Sequence, residues 1–329
     1  ALMQAAGVPV TPGYMGANQD PAVLAEEAGK IGYPVLIKAV AGGGGKGMRL
    51  VEQAADFADS LASCQREASA SCGNAHVLIE KYILSPRHIE VQILADAHGN
   101  VVHLHERDCS IQRRFQKLVE EAPAPGLPDG VEQAMGEAAV KAAKAVGYYG
   151  AGTVEFIYQD GEFFFLEMNT RLQVEHPVSE MITDIDLVEW QIRVAAGEKL
   201  RFRQRDVAQK GHAIECRINA ENPERDFMPC PGRVFYYHAP GGPGVRVDTH
   251  VYSDYMVPPH YDSLLAKIIT HGKDREEAVA RMRRALDECV FEGLPTSTPF
   301  HLEVLKNPVF LEGKATTRFL EEELSHLQE

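Results

Sequence analysis

Hydrophobic and polar residues alternate in several short segments of the chain, and this period of two predicts strands. Between Arg87 and Leu94, for example, Ile89, Val91 and Ile93 alternate with polar residues. Apolar residues recur at helical spacing in segment 274–289, which we take as the last helix. Strands and helices interleave along the sequence, which predicts an α+β or mixed α/β fold. The other predicted strands are 35–40, 48–51, 76–83, 101–108, 152–158, 162–169, 213–219, 233–238 and 245–249, and the other predicted helices are 21–32, 52–65, 130–146 and 185–196.

Two polar segments interrupt this pattern. The stretch from Ser110 to Lys117 is polar and basic, and we expect it to lead as a connection into the proline-rich loop 122–128. The charged segment 201–206 is the best candidate for a domain boundary. We therefore predict two domains, residues 1–205 and 206–329, a number that suits the length of the chain.

The composition of the chain excludes some classes of partner. It contains 33 Lys and Arg against 47 Asp and Glu, a formal net charge of −14. Such a surface repels nucleic acid backbones and anionic membranes, so we expect neither as a partner. No segment approaches the run of about 18 apolar residues typical of a membrane span. The six cysteines lie apart without a C-x-x-C pair, which favours a reduced, cytoplasmic setting.

A glycine run, GGGGKG at 42–47, connects two of the predicted strands. Because a strand rather than a helix follows it, the run is neither a dinucleotide fingerprint nor a Walker A loop. Its backbone N–H groups can bind phosphates, with Lys38 and Lys46 beside them. A mobile phosphate lid accounts for the entropic cost of so many glycines, and a flexible surface hairpin is the alternative.

Oxygen ligands suited to a metal ion lie on the acidic hairpin that follows. Glu155, Glu167 and Asn169 occupy two consecutive predicted strands whose other residues are mostly apolar. Carboxylates in such strands need a partner, since burial of an unpaired charge is unfavourable. We predict a site for Mg²⁺ or Mn²⁺ carried by a nucleotide. Alternatively, both glutamates simply face solvent.

The turn of this hairpin decides whether Glu155 and Glu167 share a face. A two-residue loop at 160–161 with a regular ladder would place the two carboxylates on opposite faces. A three-residue loop at 159–161 places them diagonally on the same face. The metal hypothesis therefore predicts the three-residue loop.

Polar residues follow the metal strand directly. Arg171 can hold a small oxyanion, Gln173 can donate a hydrogen bond and Glu175 can accept a proton. Their closeness to the predicted metal ligands favours a catalytic role over a solvated loop. Further along, Glu215 and Arg217 share one face of a predicted strand, and a surface ion pair explains them equally well.

Eight segments complete the set of motifs: KAVAGGGGKGM, LIEKYILSPRHIEVQILAD, ERDCSIQRR, EEAPAPG, GTVEFIY, FLEMNTRLQVEHPVSE, ECRINAE and VPPHYDSLLAKII. Together they resemble the biotin carboxylases, the ATP-grasp component of biotin-dependent acyl-CoA carboxylases. The resemblance runs from about residue 7 to 310, and EMNTRLQVEHPV is a specific motif. Carbamoyl-phosphate synthetases share the metal strand but not the LQVEHP continuation.

The resemblance implies an ATP-grasp fold over 1–205, with a glycine-rich lid at about 10–82, and a biotin-carboxylase-type mixed domain over 206–329. It implies a ligase that carboxylates carrier-bound biotin with ATP and bicarbonate through carboxyphosphate. The cofactors would be ATP, Mg²⁺ or Mn²⁺ and biotin on its carrier. The partners would be a biotin carboxyl carrier, a carboxyltransferase component and, in the complete enzyme, a second copy of the chain.

Binding roles for individual residues also follow from the resemblance. The magnesium ligands would be Glu155, Glu167 and Asn169. The nucleotide contacts would be Lys38, Gly43, Gly44, Gly45, Lys46, Met48, Glu80, Lys81, Ile83, His88 and Gln112.

The resemblance implies four catalytic residues. Glu175 would deprotonate bicarbonate for attack on the γ-phosphate. Lys117 and Arg171 would stabilise the carboxyphosphate, which decomposes to CO₂ and phosphate. That phosphate would take a proton from biotin N1 while Arg217 stabilises the biotin enolate. The residues that hold bicarbonate would be Arg171, Gln173 and Val174.

The sequence departs from the family in three respects. We expect the family's N-terminal domain and its phosphate-binding lysine to be absent from this chain. Phe115 stands where the family often has histidine. No A-M-K-M motif occurs, so we expect the carrier on another domain or chain. Two other functions stay open, namely an ATP-grasp ligase that joins an acyl phosphate to an amine, and a nucleotide-binding remnant without turnover.

Overall fold

The chain divides into two units in the structure, a computed structural model that describes residues 2–40 and 47–325. The first unit comprises Ala1–Ala5 and Pro9–Leu84, and the second comprises Ala6–Val8 and Ser85–Glu329. The predicted lid residues Gly43, Gly44, Gly45 and Lys46 lie outside the described residues.

The first unit is an antiparallel sheet with helices packed on it. Its elements are α1 (Leu2–Ala5), β1 (Gly13–Tyr14), α2 (Pro21–Ile31), β2 (Val35–Ala39), β3 (Met48–Val51), α3 (Phe57–Cys72) and β4 (Val77–Lys81). The strand order is β1-β4-β2-β3. Val35 and Ile37 of β2 and Leu24 of α2 are fully buried in its core. The side chain of Asp20 caps α2 by accepting a hydrogen bond from the backbone N–H of Ala22.

The helix predicted at 52–65 lies further along the chain. A short 3-10 turn, Ala54–Asp56, precedes α3, which continues to Cys72. Gly73 then ends the helix in the left-handed conformation, with φ of 66°. The polar C-terminal half of α3 concealed its full length in the sequence.

The second unit is built on a larger antiparallel sheet, in the order β15-β17-β10-β7-β6-β5-β8-β9. The strands of that sheet are β5 (Arg87–Ala95), β6 (Val101–Arg113), β7 (Gln116–Ala122), β8 (Gly150–Gln159), β9 (Glu162–Asn169), β10 (His212–Asn219), β15 (Val245–Thr249) and β17 (Leu264–Gly272). Short strand pairs are β11 (Glu221–Asn222) with β12 (Met228–Pro229), β13 (Gly232–Arg233) with β16 (Met256–Val257), and β14 (Tyr236–His238) with β18 (Val290–Glu292). The helices are α4 (Val131–Ala145), α5 (His176–Thr183), α6 (Leu187–Ala195), α7 (Arg275–Glu288), α8 (Thr298–Val304), α9 (Pro308–Leu311) and α10 (Phe319–Glu323).

The large sheet runs across the boundary predicted near residue 205. Strand β7, which precedes it, pairs with β10, which follows it, and Glu215 lies opposite Glu120 in that pair. The boundary itself stays a prediction. The sheet matters for function because it brings residues from both sides of 205 onto neighbouring strands.

The polar stretch from Ser110 to Lys117 is a strand hairpin rather than the predicted connection. Strand β6 continues to Arg113, and Arg114 and Phe115 turn the chain with positive φ angles of 48° and 66°. Lys117 then lies near the start of β7. The prediction was wrong because these polar side chains are paired inside the protein rather than solvated.

The structure also corrects the prediction that 274–289 is the last helix. Helix α7 is present there, with Ala278, Met282 and Ala285 buried as their spacing predicted. Helices α8, α9 and α10 follow it and insert Phe300, Phe310 and Phe319 into the same core. Each has fewer than eight residues, too few to display a helical period.

The described part of the chain offers no candidate for a membrane span, because none of its helices combines the required length and apolar character. Cys64, Cys109 and Cys216 are buried and free, as expected for small core residues.

Candidate active site

Lys117 is the centre of a buried ionic network in the second unit. Its ammonium group donates to Glu90 at 2.5 Å, to Glu155 at 2.9 Å and to Glu175 at 2.7 Å. Burial by itself lowers the pKa of Lys117, but the charge of Glu90 and those of the other carboxylates raise it well above its ordinary value. Lys117 is therefore held as a cation.

Glu175 lies between two cations at the N-terminus of α5. One carboxylate oxygen accepts from Lys117, and the other accepts from the guanidinium of Arg217 at 2.9 Å. Glu175 is only 2% exposed. The helix begins at the next residue, His176, so its first turn fixes the position of the carboxylate.

Arg217 is fixed at both its side chain and its backbone. Its Nε donates to Glu120 at 2.6 Å. Its carbonyl oxygen accepts from His301 Nε2 at 2.6 Å and from Ser297 Oγ at 3.0 Å. These contacts come from strands β7 and β10 and from the start of α8, so the packing of the C-terminal helices sets the place of Arg217.

Glu215 shares the face of β10 with Arg217, as predicted, but the pair is not a surface ion pair. Glu215 is fully buried, and Arg217 pairs with Glu120 and Glu175 instead. Neither carboxylate oxygen of Glu215 has a hydrogen-bond partner among the described residues. Burial, together with the neighbouring charge of Glu120, raises the pKa of Glu215 well above its ordinary value.

Glu155 and Glu167 share a face, although the loop prediction was wrong. The turn has two residues, Asp160 and Gly161, with φ angles of 52° and 89°. A bulge at Leu166 then shifts the register of β9 by one residue, so that Glu155 pairs directly with Glu167. The shared face is confirmed and results from the bulge rather than from the loop.

The predicted metal ligands contact one another. Asn169 Nδ2 lies 3.0 Å from Glu155 Oε1 and 3.2 Å from Glu167 Oε1. Glu155 is 5% exposed, whereas Glu167 is exposed, so the cluster is accessible from one side. Two carboxylates and an amide on adjacent strands supply hard oxygen donors and fit Mg²⁺ or Mn²⁺.

Glu155 remains ionised despite its burial. His88 Nε2 lies 3.2 Å from Glu155 Oε2, and Lys117 donates to Oε1. Burial on its own raises the pKa of Glu155, but His88 and Lys117 together lower it well below its ordinary value. The group is therefore a carboxylate at neutral pH, as a metal ligand must be.

The segment 171–175 joins the metal ligands to Glu175. Gln173 is buried and donates to Glu155 Oε1 at 3.0 Å. Arg171 is exposed, and its guanidinium lies 3.4 Å from Asn169 Oδ1. The carbonyl oxygen of Val174 accepts from Lys267 at 2.8 Å. The structure thus joins the predicted bicarbonate residues to the predicted metal ligands through direct contacts.

Arg107 is a residue of the site that the sequence reasoning missed. It is fully buried, and its guanidinium donates to five side chains. The acceptors are Glu90 at 2.7 Å, Gln92 at 2.7 Å, Ser179 at 2.9 Å, Thr153 at 3.2 Å and Gln173 at 3.1 Å. Arg107 therefore connects β5, β8, α5 and the segment that carries Gln173.

Glu90, Glu120 and Lys267 were missed as well. A signal for Glu90 was present, because His88, Glu90 and Gln92 form the polar half of the alternation in β5. That pattern is typical of a strand with one solvated face, yet every residue of β5 is buried. A polar face that is buried must be paired, and here it is paired with Lys117 and Arg107.

Two of the nucleotide candidates in the first unit form an ion pair. Lys38 donates to Glu80 across the β2–β4 ladder, and Met48 pairs with Lys38 across β2–β3. The ammonium of Lys81 donates to the carbonyl oxygens of Gly32 at 2.9 Å and Tyr33 at 3.0 Å. Ile83 follows β4 and is half-buried.

The second unit carries the other two nucleotide candidates. His88 lies in β5, and its backbone N–H donates to Ser110 Oγ at 3.0 Å. Gln112 lies in β6 and pairs with Lys117 in the ladder. Both residues therefore adjoin the Lys117 network.

Family models match most of the chain. Residues 1–203 match the carbamoyl-phosphate synthase L chain, ATP binding domain, and residues 215–322 match the biotin carboxylase C-terminal domain. The protein is therefore an ATP-grasp protein that continues into a biotin-carboxylase-type domain, and the predicted fold class is confirmed.

Individual relatives agree with the family models. The biotin carboxylase of Nostoc sp. is 57% identical over 321 residues, which cover 97% of this chain and 72% of the relative. Biotin carboxylase 1 of Bacillus subtilis is 55% identical, covering 97% of this chain and 71% of the relative. The chain belongs to the biotin carboxylase family, which confirms the resemblance seen in the motifs.

Solved structures show the same relationship. The biotin carboxylase of Campylobacter jejuni in a beta-gamma-ATP complex has a TM-score of 0.91 and 47% identity, covering 98% of this chain and 72% of that chain. The biotin carboxylase domain of Hydrogenobacter thermophilus 2-oxoglutarate carboxylase, with MgADP, ADP and bicarbonate, has a TM-score of 0.90 and 48% identity, covering 100% and 72%.

Proposed function

We propose that this chain is an ATP-dependent ligase that carboxylates biotin with bicarbonate through carboxyphosphate. The position of Glu175, held between Lys117 and Arg217, is the observation that carries the proposal. A carboxylate between two fixed cations can accept a proton where anionic groups gather. Membership of the biotin carboxylase family supports the same reaction.

The residues of the second unit suggest a division of tasks. Arg171, Gln173 and the backbone of Val174 would hold bicarbonate, and Glu175 would take its proton as the bicarbonate oxygen attacks the γ-phosphate. Lys117 would stabilise the carboxyphosphate together with Arg171. After decomposition to CO₂ and phosphate, the phosphate would remove the proton from biotin N1.

Arg217 would stabilise the negative charge that develops on the biotin ureido oxygen. Its fixed guanidinium and backbone suit this role, because a donor that needs no reorganisation stabilises a developing anion best. Glu155, Glu167 and Asn169 would hold Mg²⁺ or Mn²⁺, which supplies positive charge to the phosphates of ATP. Lys38, Met48, Glu80, Lys81 and Ile83 are our candidates for ATP contacts in the first unit, and His88 and Gln112 are those in the second.

The partners of the reaction follow from its chemistry. We assign biotin to a carrier domain or protein and the carboxyl group's next transfer to a carboxyltransferase component. A relative that is a named subunit of the pyruvate carboxylase of Methanothermobacter thermautotrophicus, 54% identical, supports a multi-component enzyme. A homodimer and a cytoplasmic location stay predictions.

The test is bicarbonate-dependent ATP hydrolysis and formation of labelled carboxybiotin from labelled bicarbonate and free biotin. We expect biotin to stimulate ATP hydrolysis. Glu175→Gln should abolish this stimulation and leave ATP binding intact, whereas an equal loss of ATP affinity would assign Glu175 a structural role. Hydrolysis driven by an amine acceptor instead of biotin would favour another ATP-grasp ligase, and nucleotide binding without phosphate release would favour a remnant.

A further inference from the structure

A bulge in β6 distorts the strand next to the active-site network. Val91 of β5 pairs with Glu106, but Ile93 pairs with His103, so two residues of β6 lie opposite Gln92. One of the two, His105, has a φ of 62°, in the left-handed region that favours glycine. The bulge interrupts the regular alternation of side chains, so that consecutive residues can converge on one place.

His105 and Glu106 converge with a residue of α4. His105 Nδ1 lies 2.7 Å from Glu132 Oε1, in the first turn of that helix. One ligand atom of Glu106 lies within 4.8 Å of one from each of the other two. The cluster thus brings one imidazole and two carboxylates from β6 and α4 to a common centre.

Glu106 provides an independent indication of a ligand. The residue is 2% exposed, and its Oε1 accepts from the backbone N–H of Ala124 at 3.1 Å. Its Oε2 is buried and has no hydrogen-bond partner among the described residues. Burial, with the nearby charge of Glu132, raises the pKa of Glu106 to about 7. A buried carboxylate oxygen in this state lacks a compensating cation.

The surroundings of the cluster include a second imidazole. The His103 ring packs edge to face against the His105 ring, with centroids 5.9 Å apart. Gly136 of α4 makes room for it, since a Cβ there would lie 2.6 Å from His103 ring atoms. Burial lowers the pKa of His103 to about 4, so this imidazole is neutral at pH 7, the form that binds metals.

We propose that His105, Glu106 and Glu132 form a binding site for a divalent transition metal ion, Zn²⁺ by its ligand chemistry, separate from the nucleotide-associated metal site. Imidazole nitrogen together with carboxylate oxygen suits Zn²⁺, whereas Mg²⁺ prefers oxygen alone. The side chain of Glu132 is 41% exposed, which gives the ion a path from solvent and leaves room for a water ligand. A bound ion would tie the bulge of β6 to the first turn of α4.

Equilibrium dialysis and calorimetry of the full chain with Zn²⁺ alone test the site. We expect one equivalent to be lost in His105→Gly, or bound more weakly by at least the roughly 10- to 100-fold that loss of an outer-shell partner produces. Glycine adopts a φ of 62° without strain, so this variant removes the ligand and should still fold, which its thermal unfolding midpoint without metal will show.

Two further variants separate this site from other zinc binding. Glu132→Gln should weaken the same equivalent, because it removes a second ligand from a different element. Glu167→Gln should leave that equivalent unchanged, because it affects only the predicted nucleotide-associated metal site. In the wild type, Co²⁺ at the site should give ligand-field absorption bands that His105→Gly lacks.

The proposal fails if folded His105→Gly binds as much Zn²⁺, with the same affinity, as the wild type. It also fails if Glu167→Gln alone removes the tight equivalent. None of these readouts depends on turnover, so the site and the proposed carboxylase reaction can be judged separately.

Discussion

Glu155 lies directly opposite Glu167 because Leu166 bulges out of β9. The two-residue turn alone would have set Glu155 against Leu166 and placed the two carboxylates on opposite faces. The bulge adds one residue to one strand and restores the shared face. A single irregularity in the ladder is therefore what assembles the predicted metal site.

Replacing Glu167 should weaken the metal dependence of the reaction. Glu167 is exposed, so Glu167→Gln should fold normally while removing one hard ligand. We expect the Mg²⁺ concentration that supports half-maximal ATP hydrolysis to rise at least about tenfold. Glu162→Gln, the same substitution at an exposed position of the same strand, is the control. Equal Mg²⁺ dependence in the two variants would refute Glu167 as a ligand.

Lys117→Met should destabilise the second unit and abolish turnover. The substitution leaves Glu90, Glu155 and Glu175 without the cation that they share. Breaking a buried ionic contact by removing one partner costs about 3–5 kcal/mol. Urea denaturation followed by circular dichroism measures the loss.

The control for this variant is Lys314→Met. The Lys314 side chain is 71% exposed and pairs only with Glu312, an arrangement worth about 0–1 kcal/mol. Similar unfolding free energies for the two variants would mean that the Lys117 network contributes little to stability.

Arg107→Lys tests a positioning role. Lysine cannot reproduce the planar set of donors that holds Gln173, Gln92 and Glu90. Because Gln173 is a candidate bicarbonate contact, we expect the KM for bicarbonate to rise by about tenfold or more while the KM for ATP changes little, in line with loss of about 1.4 kcal/mol of binding. A uniform fall in kcat with both KM values unchanged would contradict the positioning role, and Arg193→Lys, on the surface, is the control.

His301 should make the stability of the second unit depend on pH. Burial lowers its pKa from 6.5 to about 4 in the folded protein. The unfolded state therefore takes up the proton first as the pH falls, so stability is lost between pH 6.5 and 4. The loss is on the order of 3 kcal/mol at 1.36 kcal/mol per pKa unit.

His301→Gln should remove this loss while its amide still donates to the carbonyl oxygen of Arg217. Unfolding free energies at pH 7 and pH 4 should therefore differ less in His301→Gln than in the wild type. His260→Gln, at an exposed position, controls for loss of a surface histidine. Parallel pH profiles of wild type and His301→Gln would show that His301 does not contribute.

Local rules allowed much of the fold to be predicted. The alternation of β5, the N-cap Asp20 and the spacing in α7 act over a few residues, and each gave the correct element. Prediction failed where a longer contact decides. Residues 110–117 form a hairpin because Lys117 is paired with carboxylates that lie 27 to 58 positions away in the sequence.

The candidate site shows the same division. The motif around Asn169 and Glu175 pointed to oxygen ligands and a base, because their types and order are visible in the sequence. Arg107 and Glu120 were missed because an isolated charged residue in a strand is typical of a solvated face. Only their complete burial shows that each must have a partner.

The sequence by itself determined the family, the period of most strands and helices, and the residues able to bind metal, phosphate and bicarbonate. The tertiary structure decided which of these residues touch. It placed Glu175 between Lys117 and Arg217, paired Glu155 with Glu167 across a bulge, and brought His105 to Glu132. The physical reason is that side-chain type and local period are properties of a segment, whereas ladder register and the pairing of buried charges depend on strands that are distant in the sequence.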